Sequence, residues 1–261
     1  MDKEIYEILN RIELFNCEAY VVGGFVRDHL SNVKSLDIDI ATNAKLEKLK
    51  EIFLEYDYKI KNECLYFCRK EYNFEITTYR VDKKYLNHRN NFESKYTNKD
   101  IKDSKRRDFT VNALYMNKIG KIRDFNKGLK DFKKKRLKMM GNPNKRLKED
   151  YLRILRAFRF LVTLDFYLDK RLEKYIKKYK NKIKELSFYR KKEELNKMLN
   201  KNINRTVDII NEYDLYSELS ILKKIDKVND IYEFWSYTDY EKYPFTKKEK
   251  SQIKYYLSII E

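Results

Sequence analysis

Residues 35–42, SLDIDIAT, constrain this chain more than any other stretch. Leu36, Ile38 and Ile40 alternate with Asp37 and Asp39, and side chains that repeat every second residue share one face of a β-strand. One face of that strand must be buried while the other projects two neighbouring carboxylates. Just upstream, AYVVGG is a short apolar run closed by Gly23 and Gly24. With only five glycines in 261 residues, a doublet marks a turn or a close ligand approach that leaves no room for a side chain. The following FVRDHL opens a helix whose first amides can face an anion, with the forked guanidinium of Arg27 beside them. Asp28 either holds Arg27 or caps the turn.

The rest of the chain falls into two styles. Ile5, Ile8, Leu9, Ile12 and Phe15 follow the 3.6-residue period of an amphipathic helix. YDYKIK, ECLYFCRK and YNFEITTYR, each rich in aromatic or β-branched residues, read as further strands, so a strand-rich module occupies roughly residues 19–125. Beyond Leu129 the segments are rich in Lys, Arg, Glu and Leu, and after the turn GNPN helices dominate from about Lys145. The expected class is α+β: a head over residues 1–135 with a small mixed sheet and flanking helices, an all-helical neck over 136–200, and a short helical body over 201–261. No low-complexity linker separates them, which predicts one continuous body.

Lys and Arg total 59 against 41 Asp and Glu, a formal charge of +18, which favours a polyanionic partner; solvated lysines from an AT-rich genome give the same excess. MDKEIYEILNRIELF lacks an apolar leader, and no stretch reaches the ~18 apolar residues of a membrane span, so a soluble, cytoplasmic protein with no membrane partner is expected. Cys17, Cys64 and Cys68 form no disulfide framework, and with only His29 and His88 a zinc site is disfavoured. Cys64 and Cys68 read as packing residues.

Three clusters carry chemistry. Asp37 and Asp39 suit Mg²⁺, which takes one or two carboxylates and completes its shell with water and substrate phosphates; a solvated strand face is the alternative. Glu75 is either a third carboxylate from a neighbouring strand or a surface acid. In KRRDFTVNAL (105–114), Arg106 and Arg107 can grip phosphates while Asp108 and Asn112 bond a ribose or a loop backbone; a solvated basic turn is the alternative. In KEDYLRILRAFRF (148–160), Asp150, Arg153, Arg156 and Arg159 recur every three residues along one side of an expected helix, opposite Tyr151, Ile154, Leu155 and Phe158. A carboxylate accepts from the exocyclic amine of cytosine or adenine while an arginine beside it donates to the neighbouring ring acceptors, and the pair disfavours uracil and guanine. An intrahelical ion pair is the plainer reading.

Taken in order, GGFVRD, DID, RRDFTVNA and EDYLRILR resemble the motifs of the class II tRNA nucleotidyltransferase and bacterial poly(A) polymerase family, with EITTYR, DFNKGLKD and SFYRKKEELNKML as lesser echoes over residues 5–200. The resemblance implies a polymerase β-like nucleotidyltransferase head. In it Gly23, Gly24 and Arg27 contact the incoming nucleotide, Asp37 and Asp39 hold Mg²⁺ and carry catalysis, and Arg106 or Arg107 binds nucleotide. Asp150 and Arg153 form a protein template for the base, and Arg156 and Arg159 support the triphosphate or that template. It implies transfer from CTP and ATP to a tRNA 3′ end, CCA addition, with RNA adenylyltransferase as the alternative; a catalytically silent RNA-binding module on the same fold is a third reading. A homodimer is compatible with it. Tyr189 stands where the family has an acid in YRKKEEL. KKYLNHRNNFESKYTNKDIKD corresponds to the family's flexible loop, His88 and Arg89 included, without the usual proline after the arginine. About sixty residues follow the neck, so a shortened body and tail is expected, with basic surface charge carrying much of the RNA affinity. Trp235 and the tyrosines there either stack on bases or pack the body.

Overall fold

The computed structural model describes residues 1–82 and 94–260; His88, Arg89 and most of the predicted flexible loop lie outside them. The chain divides into two compact units, Met1–Lys134 with Lys138–Gly141, and Lys135–Leu137 with Asn142–Glu261.

The first unit runs α1 (Lys3–Leu14), β1 (Ala19–Val22), α2 (Gly24–Leu30), β2 (Asp37–Thr42), α3 (Leu46–Ile52), β3 (Lys59–Lys61), β4 (Cys64–Arg69), β5 (Tyr72–Thr78), β6 (Arg80–Asp82), β7 (Ser94–Tyr96), α4 (Asp100–Arg106), β8 (Leu114–Met116), β9 (Ile122–Asp124) and α5 (Gly128–Lys133). Seven strands form one mixed sheet in the order β3-β4-β5-β2-β1-β8-β9. β2 and β5 pair in parallel, and the other neighbours are antiparallel.

One face of this sheet packs the main core, and the other carries a smaller buried cluster beside exposed carboxylates. Asp2 caps α1 by accepting from the Glu4 amide, and the helix buries Ile5, Ile8, Leu9 and Ile12 completely, each worth about 1.5–3 kcal/mol. They join Val21, Ile38, Ile40, Phe74, Ile76 and Leu114 in the main apolar cluster. The opposite face holds a smaller cluster of Tyr20, Val22, Ala41, Tyr79 and Tyr115. Asp37 and Asp39 belong to that second face, because the buried residues that alternate with them along β2, Ile38 and Ile40, point into the core.

The second unit is mostly helical: β10 (Arg136–Leu137), α6 (Pro143–Glu149), α7 (Leu152–Leu164), β11 (Tyr167–Leu168), α8 (Lys170–Tyr179), α9 (Phe188–Leu199), α10 (Ile203–Tyr213), α11 (Ile231–Ser236) and α12 (Lys247–Ile260). The all-helical expectation is corrected by β10 and β11, a two-residue parallel pair formed where α7 ends on Asp165 in the left-handed region, φ 53°. Trp235 is wholly buried, with its ring 4.8 Å from Tyr243 and 5.0 Å from Phe245 and its indole N–H donating to Asn196 Oδ1 at 3.1 Å. It therefore packs the body and offers no face to a base. Cys64 is buried as expected, whereas Cys68 is exposed, because its strand position falls on the open face beside Asn73. No described helix is long and apolar enough to cross a membrane.

Candidate active site

β1 ends at Val22, and the chain must turn into α2 directly beside β2. Gly23 makes that turn at φ 73° and ψ −129°, a region side chains avoid. A Cβ built there would lie 2.8 Å from Asp39 Oδ2, so the glycine is required twice over, by backbone angle and by the carboxylate it faces. No side chain caps the first turn of α2.

The parallel register of β2 and β5 sets Asp37 opposite Asn73 and Asp39 opposite Glu75. Asn73 Nδ2 donates to Asp37 Oδ1 at 3.0 Å, and its own Oδ1 lies 3.1 Å from the Cys68 thiol. Glu75 is thereby the third acid on this face, next to Asp39. Although Asp39 keeps one side open to solvent, burial by the protein around its carboxyl and the charge of Glu75 push its pKa up to about 6, against the opposing pull of Arg107 and Arg27.

Two relays fix the cations. Arg27 Nη1 donates to Asn112 Oδ1; Asn112 Nδ2 donates to Asp108 Oδ1 at 2.7 Å, which also accepts from the Phe109 amide at 2.9 Å. Asp108 thus bonds a loop amide, and Asn112 links it to Arg27. Arg106 and Arg107 both close on Asp103, at 2.7 and 3.2 Å, and Arg107 also donates to Tyr115 OH at 3.1 Å. Asp103 is wholly buried. Burial alone would raise its pKa, but the charges of Arg107 and Arg106 and the Tyr115 hydroxyl overcome this and bring it down to about 2. The two arginines are braced from below, unlike the loose residues of a solvated turn.

In the second unit, Asp150 does not lie on a helix as expected. α6 stops at Glu149, α7 starts at Leu152, and Asp150 sits between them at φ −160° and ψ 105°. Its Oδ1 accepts from the Leu152 amide at 3.2 Å, a local bond that competes with helix continuation and starts the next helix. Asp150 and Arg153 are both buried. Arg153 Nη1 donates to the Arg146 carbonyl and to Glu149 Oε2 at 3.2 Å, and Glu149 also holds Arg146 at 2.9 Å. Farther along α7, Arg156 is half-buried, and Arg159 pairs with buried Glu194 of α9 at 3.4 Å.

Residues 19–138 match the family described as the poly A polymerase head domain. That stretch, a little under half of the chain, resembles a poly(A) polymerase head domain. It is 35% identical over 198 residues to a CCA-adding enzyme of Enterococcus faecalis, covering 76% of this chain and 49% of that one, so it spans about half the length of the curated relatives it matches. Among solved structures it resembles the Bacillus stearothermophilus CCA-adding enzyme in complex with CTP, at TM-score 0.83 and 24% identity over 100% of this chain and 71% of that one. The Thermotoga maritima CCA-adding enzyme complexed with tRNA follows at TM-score 0.76 and 21% identity over 99% and 70%. These likenesses show the fold.

Nucleotidyltransferases with such a head generally depend on a divalent metal. Among the described residues no group of three or more His, Cys, Asp and Glu is arranged to hold a metal by protein ligands alone. The head instead offers hard oxygen donors from Asp37 and Asp39, which fits a cation whose shell is completed by phosphate and water. Sequence reasoning missed four supporting residues of the two units. Asp103 stands three and four residues before Arg106 and Arg107, and Glu149 four before Arg153, spacings that could have revealed them. Asn73 and Glu194 act across strand and helix pairings that no local pattern reports.

Proposed function

We propose that the chain is a tRNA nucleotidyltransferase that adds CTP- and ATP-derived nucleotides to the tRNA 3′ end without a nucleic-acid template. The observation that carries this reading is the open sheet face on which Asp37 and Asp39 stand beside a glycine that admits no side chain, with the charges of Arg27 and Arg107 felt at Asp39. The names of the relatives support the same assignment.

In this reading Asp37 and Asp39 hold Mg²⁺, which when bound supplies Lewis-acid activation of the attacking hydroxyl and charge neutralisation at the leaving pyrophosphate. Arg27, Arg106 and Arg107, braced by Asn112 and Asp103, bind the triphosphate, and Gly23 and Gly24 let it approach the backbone. The RNA 3′ oxygen bonds to the α-phosphorus as the bond to the pyrophosphate oxygen breaks. Asp150 accepts from the exocyclic amine of cytosine or adenine while Arg153 donates to the ring acceptors, and Arg156 and Arg159 support them. A cytoplasmic location is in keeping with work on tRNA ends. A second reading, an RNA adenylyltransferase, draws on the poly(A) polymerase description of the head.

The test is incorporation of label from CTP and from ATP into tRNA lacking its 3′ end, in the parent and in Asp39→Ala. The reading expects activity in the parent and its loss in the variant with tRNA binding retained. An inactive parent that still binds tRNA would make the chain an RNA-binding module.

A further inference from the structure

Two ammonium groups from different helices converge on one tyrosine ring in the second unit. α6 and α8 are joined by the Tyr179 hydroxyl, which donates to Asn144 Oδ1 at 2.6 Å. Lys148 Nζ of α6 lies 5.9 Å from the Tyr179 ring centroid, and Lys178 Nζ of α8 lies 5.6 Å from it. Tyr175 stacks on Tyr179 at 6.5 Å and 12°. Exposed Lys145 and Lys174 extend the same two helices.

The acids of these helices are already engaged elsewhere. Glu149 holds Arg146 and Arg153, and Glu173 holds Lys177. Lys145, Lys148, Lys174 and Lys178 make no ion pair among the described residues. Exposed lysines without acidic partners on two adjoining helices repel one another, weakly because solvent and salt screen them, and an extended polyanion laid across both helices relieves that repulsion more fully than a single small anion can. A phosphodiester chain supplies regularly spaced negative charges, and lysines bind them as point charges without regard to sequence. Buried Tyr179 braces the two helices from beneath, with half-buried Tyr175 stacked on it, and so fixes the spacing of the lysines above.

We propose that the α6–α8 face, centred on Lys148, Lys178 and Tyr179, binds the phosphodiester backbone of the RNA primer. This rests on the proposed function for the choice of RNA, and it adds a grip on the backbone two residues before Asp150, in the same turn of chain that is proposed to read the base.

The test measures the equilibrium affinity of the full chain for a tRNA transcript ending at the discriminator base, across a salt series and without nucleotide. Lys148→Glu/Lys178→Glu is compared with Lys59→Glu/Lys61→Glu, which makes the same charge change on the exposed edge strand β3. The first pair is expected to weaken binding about tenfold at low salt and to flatten the plot of log affinity against log salt by roughly 1.5–2. The second pair should leave both nearly unchanged, and CTP binding in the absence of RNA should be the same in all three proteins. Equal losses in the two double variants would show that only bulk charge matters, and an unchanged affinity in the first would show no contact; either overturns the proposal. Because binding is read without chemistry, a parent that binds RNA through this face but incorporates no nucleotide would sink the proposed function alone.

Discussion

Gly23 and Asp39 are so close that a methyl group on the glycine would lie 2.8 Å from the carboxylate oxygen. The positive φ of Gly23 compounds the crowding, at about 1–3 kcal/mol of backbone strain. Gly23→Ala is therefore expected to lower nucleotide incorporation by about 100-fold or more and to lower the melting temperature. Gly24→Ala should be milder, since its Cβ would meet only Arg27 Nη2 at 3.6 Å. Parallel assays and thermal melts of the two variants check this, and equal effects would argue against the close approach.

Asn73 holds Asp37 Oδ1 at 3.0 Å, which leaves the other oxygen to face a cation. Asn73→Ala should reduce kcat and the affinity for Mn²⁺, each by about 10–100-fold, as the loss of a residue that orients a metal ligand does. The KM for CTP should change little. Manganese titration followed by electron paramagnetic resonance reads the binding independently of turnover.

Asp103 links the arginine brace to pH. Its pKa is depressed from 3.8 to about 2, so the stability it contributes is full above the unfolded value and is lost as pH falls from about 4 toward 2. The shift corresponds to roughly 2.5 kcal/mol. Denaturant unfolding of the parent and Asp103→Asn should differ by ~3–5 kcal/mol at pH 7, because the variant leaves buried cations poorly paired. The gap should narrow below pH 4; a gap independent of pH would contradict the assignment.

Asp150 lies buried at a helix break with its side chain tied to the Leu152 amide. Asp150→Asn keeps a carbonyl oxygen for that bond but adds an amide donor, so the preference for CTP and ATP over UTP and GTP should fall by about tenfold or more. Competition assays with the four nucleotides measure it, and an unchanged preference would remove Asp150 from base selection.

The legible parts of this fold were those written in local period. SLDIDIAT became β2, shortened by two residues because Leu36 is exposed and pairing begins at Asp37. AYVVGG, ECLYFCRK and YNFEITTYR gave β1, β4 and β5. The parallel pairing of β2 with β5, which brings Asn73 and Glu75 to the carboxylates, joins segments 36 residues apart, and alternation cannot name a strand's partner. Asp150 escaped for a different reason: the apolar stripe of α7 runs up to it without interruption, and only the competition between its side chain and the helix breaks the run.

CCA addition is read out by incubating tRNA transcripts ending at the discriminator base, at C and at CC with Mg²⁺ and CTP, ATP or both, and sequencing the 3′ ends. Completion of CCA from every start, followed by a stop, is the expected result. Addition of adenosine alone, or a long adenosine tract, would contradict it and assign the chain to the adenylyltransferases.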